Sequence, residues 1–142
     1  MRTLIRPAVL ALWSTALVAI AANLIAVLSG TAANGEPIVV DQQGMTLTVD
    51  ALPTIAASIV GALLGAVGSL IVLRVLPRRG VLVIIIGGAL VTLLSLFGTT
   101  AAVTATGVAT LMVMHVITGT VVVVGNAVIH SRAKDRAAVP TR

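Results

Sequence analysis

The stretch LPTIAASIVGALLGAVGSLIVLRVLPRRGVLVIIIGGALVTLLSLFG, residues 52–98, holds two long apolar runs hinged on Pro77-Arg78-Arg79-Gly80. At roughly 20 residues per crossing, each run is near the length that spans a bilayer core as a helix. The hinge is too short to form a domain, so the two runs turn back on one another with both arginines at one membrane face. Upstream, residues 7–28 form a first apolar run, opened by Pro7 at a favourable first helical position and followed by Ser29-Gly30. Downstream, Thr99-Thr100 offers an N-cap for a fourth run over 101–129.

The charges agree with this plan. The nine cationic residues fall in three groups, Arg2 and Arg6, then Arg74, Arg78 and Arg79, then Arg132, Lys134, Arg136 and Arg142. A four-span threading puts all of them on one side, and it puts Glu36, Asp41 and Asp50 on the other. Short cytoplasmic segments of membrane proteins are enriched in Lys and Arg, so the pattern predicts both termini in the cytoplasm and residence in the plasma (inner) membrane. The fold class expected is all-α: an antiparallel four-transmembrane-helix bundle forming a single membrane domain over 1–142. Its spans are 52–76 and 81–98 for the quoted runs, flanked by 7–28 and 101–129. The outer loop is 29–51 and the cytoplasmic tail 130–142. A cleaved secretory leader is the rival reading of the first run, which at about 22 residues exceeds the usual 7–15-residue apolar core of such signals.

Composition excludes several classes. The chain is 58% hydrophobic and 9% charged, against about a quarter charged in soluble domains. Its formal charge of +5 would suit nucleic acid, yet the basic residues sit beside apolar spans. Topology and attraction to anionic lipids explain them there, and no nucleic-acid partner is expected. With no cysteine, disulfides, thiolate metal sites and thiol nucleophiles are all excluded. The Val-rich run 121–124 would favour a strand in water, but within lipid a helix satisfies its own backbone.

The outer loop has internal order. Met45-Thr46-Leu47-Thr48-Val49 alternates with period two, and Ile38-Val39-Val40 precedes the turn-forming Asp41-Gln42-Gln43-Gly44. A short β-hairpin across the outer mouth is one expectation, and an irregular loop is the other. Asp50 is placed to cap the second span.

Small and polar residues concentrate on chosen faces. On span two, Thr54, Ser58, Gly61, Gly65 and Gly68 recur at steps of three and four, the signature of close helix approach in membranes. Gly87, Gly88, Thr92 and Ser95 repeat the theme on span three, as do Ala16, Ala19, Asn23 and Ala26 on span one. Counting from each midpoint puts Asn23, Ser58 and Ser95 at nearly one depth, about 8 Å outward by helix rise, which predicts a hydrogen-bonded layer that sets register. Thr110 shares that depth but lies about 140° around the helix from His115, and is expected to face elsewhere.

His115 lies at the middle of span four, on one face with Thr104, Leu111, Thr118, Val122 and Asn126. An ionisable group at that depth suggests a proton relay or pH sensor. The favoured reading is a neutral imidazole hydrogen-bonded to an adjacent helix. No carboxylate lies in any span, and His130 sits about 22 Å along the same helix near the inner surface, so neither a second proton station nor a metal site is expected. Trp13 and Phe97 are the only aromatic residues, too few for the usual interfacial belt, which points to partner proteins at the interfaces.

The basic turn Pro77-Arg78-Arg79, the run Leu93-Leu94-Ser95-Leu96-Phe97-Gly98 and Leu111-Met112-Val113-Met114-His115 before a Val-rich stretch resemble a group of small actinobacterial four-span proteins of unknown function. The resemblance covers about residues 51–130 and implies four helices, an outer loop between the first two, and a histidine in the last. The family pattern implies a Pro near the inner end of span four, where this chain has Gly125-Asn126. No activity comes with it.

No paired carboxylates and no nucleophile–base–orienter set are present, so no enzyme and no cofactor are expected. Two functions remain. The first is a non-catalytic accessory or scaffold subunit of a larger membrane complex, surrounded by the lipid bilayer with anionic lipids at its basic inner segments. The alternative is a small homo-oligomeric transporter or channel with His115, Thr118, Asn23 and Ser58 along its path.

Overall fold

A computed structural model describes residues 2–138, with side chains at residues 9, 12–128, 130 and 131. The side chains of Arg2, Arg6, Arg132, Lys134 and Arg136, and all of Arg142, lie outside that set. The chain runs through helix α1 (Arg2–Asn34), strands β1 (Ile38–Gln42) and β2 (Met45–Val49), and helices α2 (Ala51–Val75) and α3 (Gly80–Ser95). A 3-10 turn over Leu96–Ala101 then leads to α4 (Ala105–Ala138). Among the described residues, four helices are long and apolar enough to cross a membrane, over Leu12–Asn34, Ala51–Val75, Gly80–Ala101 and Ala105–Val128. The Val-rich run 121–124 is helical, as backbone self-satisfaction in lipid requires.

The expected hairpin is present, with β1 and β2 pairing antiparallel from Ile38 opposite Val49 to Gln42 opposite Met45. Gln43 and Gly44 both have positive φ, at 56° and 84°, which matches the twist of a two-residue hairpin turn. Asp41 Oδ1 accepts the Gly44 N–H at 3.0 Å and braces that turn. Ile38, Val40 and Val49 turn inward onto Val27 of α1 and Leu111 and Met114 of α4, forming the larger apolar core. Asp50 caps α2 as expected, its Oδ1 accepting the Leu52 N–H at 3.0 Å.

Four boundaries differ from the sequence reading, the first being that α1 begins at Arg2 rather than at Pro7. Helix α1 passes through Ser29-Gly30 and stops at Gly35, whose φ of +75° and N–H bond to the Thr31 carbonyl end the helix in the left-handed manner. Gly30 is a packing notch rather than a stop. Residues 101–104 do not open α4: Ala102 bridges to Val40, and the Val103 N–H bonds the Val39 carbonyl, so the hairpin claims this segment as an edge. The cap is Thr104, whose Oγ1 accepts the Gly107 N–H at 3.1 Å, while Thr99 and Thr100 bond back to carbonyls of the 3-10 turn. Helix α4 also continues past 129 into the expected tail, since no Gly or Pro interrupts residues 126–138.

Glycines and β-branched side chains join the helices. A Cβ on Gly30 would meet Thr110, one on Gly125 would meet Thr15, and one on Gly119 would meet Thr92. Gly61 faces the Thr118 methyl at 3.0 Å, while Gly65 and Gly88 receive Val122 and Val123. β-Branched side chains hold few χ1 states in a helix, so each is a stiff knob entering a notch that only glycine leaves open. The Thr15, Thr92 and Thr110 hydroxyls bond carbonyls of their own helices, which leaves their methyls for packing.

Gly119→Ala and Gly87→Ala are therefore expected to act with opposite sign. The first forces Thr92 aside and costs roughly 1–3 kcal/mol. The second meets nothing within 4 Å and replaces glycine by a better helix former, worth up to about 1 kcal/mol. Thermal melting of the two variants in one detergent, compared with the parent chain, checks both.

Candidate functional site

Asn23 stands where α1, α2 and α4 meet. Its Nδ2 donates to Ser58 Oγ at 3.0 Å and to Thr118 Oγ1 at 2.7 Å. Ser58 in turn donates to the Thr54 carbonyl at 2.8 Å, and Thr54 to the Asp50 carbonyl at 2.6 Å, so the hydroxyl oxygens are oriented to accept from the amide. Asn23, Ser58 and Thr54 are all at most 3% exposed. Asn23 Oδ1, equally buried, accepts no hydrogen bond.

The sequence placed Asn23 and Ser58 in one layer correctly, but the third member is Thr118. Ser95 instead donates to the Thr92 carbonyl of its own helix at 2.7 Å and faces a cleft. Thr110, set apart from His115 by its angle around α4, packs into the Gly30 notch on α1.

His115 is half-buried, and its Nδ1 lies 2.8 Å from the Leu111 carbonyl one turn earlier. A carbonyl oxygen only accepts, so Nδ1 carries a proton, and in the neutral tautomer that this bond selects Nε2 is an acceptor. Its hydrogen-bonding partner thus belongs to its own helix, where an adjacent helix was expected.

Helices α2 and α3 diverge beyond their short Arg78-Arg79 connection and leave a half-enclosed cleft of about 660 Å³, floored by α4. That volume lies in the range of small-molecule sites, roughly 300–1,000 Å³. Gly61, Gly65 and Gly68 of the α2 stripe lie along one wall and Gly87 and Gly88 along the other. Met114, His115, Thr118 and Gly119 form part of the floor, and Asn23 closes one end. No Asp, Glu, Lys or Arg lines it. Gly61 and Gly65 are occupied by packing against α4, as a close-approach stripe predicts, but Gly68 and Gly87 face open space.

A second polar pair, whose members the sequence reading does not connect, lies further along α4. Asn126, fully buried, donates to the Val122 carbonyl at 2.7 Å, and His130 Nδ1 lies 2.7 Å from the Asn126 carbonyl. His130 is 2% exposed, and among the described residues Asn126 Oδ1 and His130 Nε2 have no partner. Their four-residue spacing, which also relates Asn126 to Val122, was the available signal. Among the described residues, no cluster of three His, Asp or Glu that would hold a metal ion occurs.

The chain belongs to a family of unknown function (DUF6069), whose model matches residues 3–132. No curated protein and no solved structure matches it. The family assignment agrees with the reading of a protein of unknown function with four apolar helices, and it brings no activity with it.

A double-mutant cycle on Asn23→Leu and Thr118→Val is expected to give a coupling near the membrane average of about 0.6 kcal/mol, with about 1.7 kcal/mol as the upper end. Detergent unfolding midpoints of the four proteins measure it.

Proposed function

We propose that this protein is a non-catalytic, multi-pass plasma-membrane protein that serves as an accessory or scaffold subunit, docking a partner through its hairpin. The supporting threading is an antiparallel bundle with both termini cytoplasmic. Contacts of α4 with α1 pair Thr110 with Gly30, Thr118 with Asn23 and Gly125 with Thr15, so the residue numbers rise on one helix as they fall on the other. Those of α4 with α2 pair Thr118 with Gly61 and Val122 with Gly65, rising together. Up–down–up–down passage accounts for both, and it leaves the Arg78-Arg79 turn on the same side as the two termini.

The observation that carries the reading is the outward edge of β2. The sheet has two strands, so one edge of β2 pairs with no strand among the described residues, and Met45 and Leu47 on it are 76% and 54% exposed. Apolar exposure on the helices is what lipid contact requires. A free strand edge is different, because unpaired backbone groups do not sit in hydrocarbon. Met45 and Leu47 therefore stand in the aqueous or headgroup layer, where an apolar strand edge is a template for a partner's strand.

A homo-oligomeric transporter is the second reading, and its support is His115 lining the α2–α3 cleft. The lack of an embedded carboxylate weighs against proton coupling in it.

Affinity purification from the native membrane in mild detergent, followed by mass spectrometry, tests the reading. A stoichiometric partner is expected, with recovery falling roughly tenfold in the Met45→Thr/Leu47→Thr variant, the loss that about 1.4 kcal/mol of apolar contact supplies. Recovery of this chain alone in both proteins overturns it and makes proteoliposome flux with His115→Ala the decisive assay.

A further inference from the structure

The cleft between α2 and α3 is chemically uneven along its length. Its waist is formed by Gly68, seven residues before the end of α2, and Gly87, seven residues after the start of α3. Helix rise from the short connection puts the two at one level, about 10 Å from it. An added Cβ at either would meet nothing within 4 Å. Packing inside the molecule therefore does not account for these glycines, each of which costs a helix up to about 1 kcal/mol relative to alanine.

One polar side chain sits beside the waist, and a polar group lies toward the end away from the connection. Ser69, 5% exposed and lining the cleft, makes no side-chain hydrogen bond among the described residues. Eleven residues along α2, about 16 Å by helix rise, lies Ser58, the level of Asn23 and Thr118. Here the Nδ1–H tautomer of neutral His115 offers Nε2, and the Thr118 hydroxyl, which accepts from Asn23 Nδ2, retains its own proton to give. This end asks for a group that both donates and accepts, and the uncharged lining disfavours an ion.

We infer that the cleft binds an elongated, uncharged, membrane-soluble molecule bearing a hydroxyl, such as a long-chain alcohol or a neutral lipid with a free hydroxyl. The hydroxyl docks against His115 and Thr118, and the apolar body lies past Gly68 and Gly87 toward Val72 and Val83. Entry is sideways from the lipid phase, between α2 and α3. A plain acyl chain would fill the same waist but leave the polar end unsatisfied, which is costly where no water competes. This site is separate from the hairpin edge and stands whether or not a partner docks there.

The test uses the full chain in lipid nanodiscs with a diazirine-bearing hexadecanol and its methyl ether, the latter keeping the apolar chain but unable to donate. Photolabelling is expected to be saturable and mapped by mass spectrometry to α2, α3 and α4 residues of the cleft. The ether should label at least tenfold less. Gly87→Leu should abolish saturable labelling with an unchanged melting temperature, and His115→Ala should narrow the difference between alcohol and ether. Lipid extracts of protein purified from the native membrane should contain a neutral hydroxyl lipid that the Gly87→Leu protein lacks. Equal labelling by alcohol and ether, spread over lipid-facing surfaces and indifferent to Gly87→Leu, would identify ordinary lipid contact and overturn the inference. Displacement of the label by a co-purifying protein helix seated in the cleft would also overturn it.

Discussion

The structure depends on glycine notches that admit β-branched side chains from a neighbouring helix. Lipid tails are as apolar as leucine, so helices in a membrane gain little by hiding greasy surface from one another and must associate through close fit. Here α4 is the helix around which that fit is organised. It puts Thr110 into Gly30 of α1, Val122 into Gly65 of α2 and Val123 into Gly88 of α3, and it receives Thr92 at Gly119 and Thr15 at Gly125. Because these threonines bond their own backbones, the contacts bring polar residues inside without leaving polar atoms unpaired. The Asn23 amide adds a direct side-chain bridge among α1, α2 and α4.

The cleft is the counterpart of this arrangement. Helix α3 is held mainly through α4, where Val123 and Thr92 are the interlocking side chains, and its own small-residue face toward α2 is left open. The glycines that α2 and α3 bring to the cleft thus divide into two kinds. Those facing α4 or its side chains are structural, and those facing the cleft are surface. The same division explains why a stripe on α2 that looks uniform in sequence has two functions: Gly61 and Gly65 belong to the packing, while Gly68 belongs to the cleft.

Polar residues show how far one-dimensional counting reaches. Depth along a helix follows from rise per residue, so Asn23 and Ser58 could be matched from their positions alone. Which residue of α4 completes the layer depends on where that helix starts, and its start was displaced when residues 102 and 103 joined the hairpin edge. Thr118, rather than a residue of α3, then came to Asn23. Likewise His115 was legible as an unusual residue in an apolar run, but its partner was not, because the ring satisfies itself on Leu111 of its own helix. His130 was read as the first residue of the tail because the helix was expected to end before it does, and so its pairing with Asn126 was not seen.

The sequence by itself determined that the chain is built from four apolar helices, narrowed the segment between the first two to a hairpin or an irregular loop, and placed the Asp50 cap and the Asp41–Gly44 turn. Those features rest on local chemistry: apolar run length, period-two alternation, a capping carboxylate and a turn tolerant of positive φ. Tertiary structure alone decided which glycines are notches and which line a cleft, which hydroxyl meets Asn23, and that Gly30 continues a helix that Gly35 ends. Each of these depends on what the neighbouring helix presents at a given height, and a glycine carries no side chain to announce its neighbour.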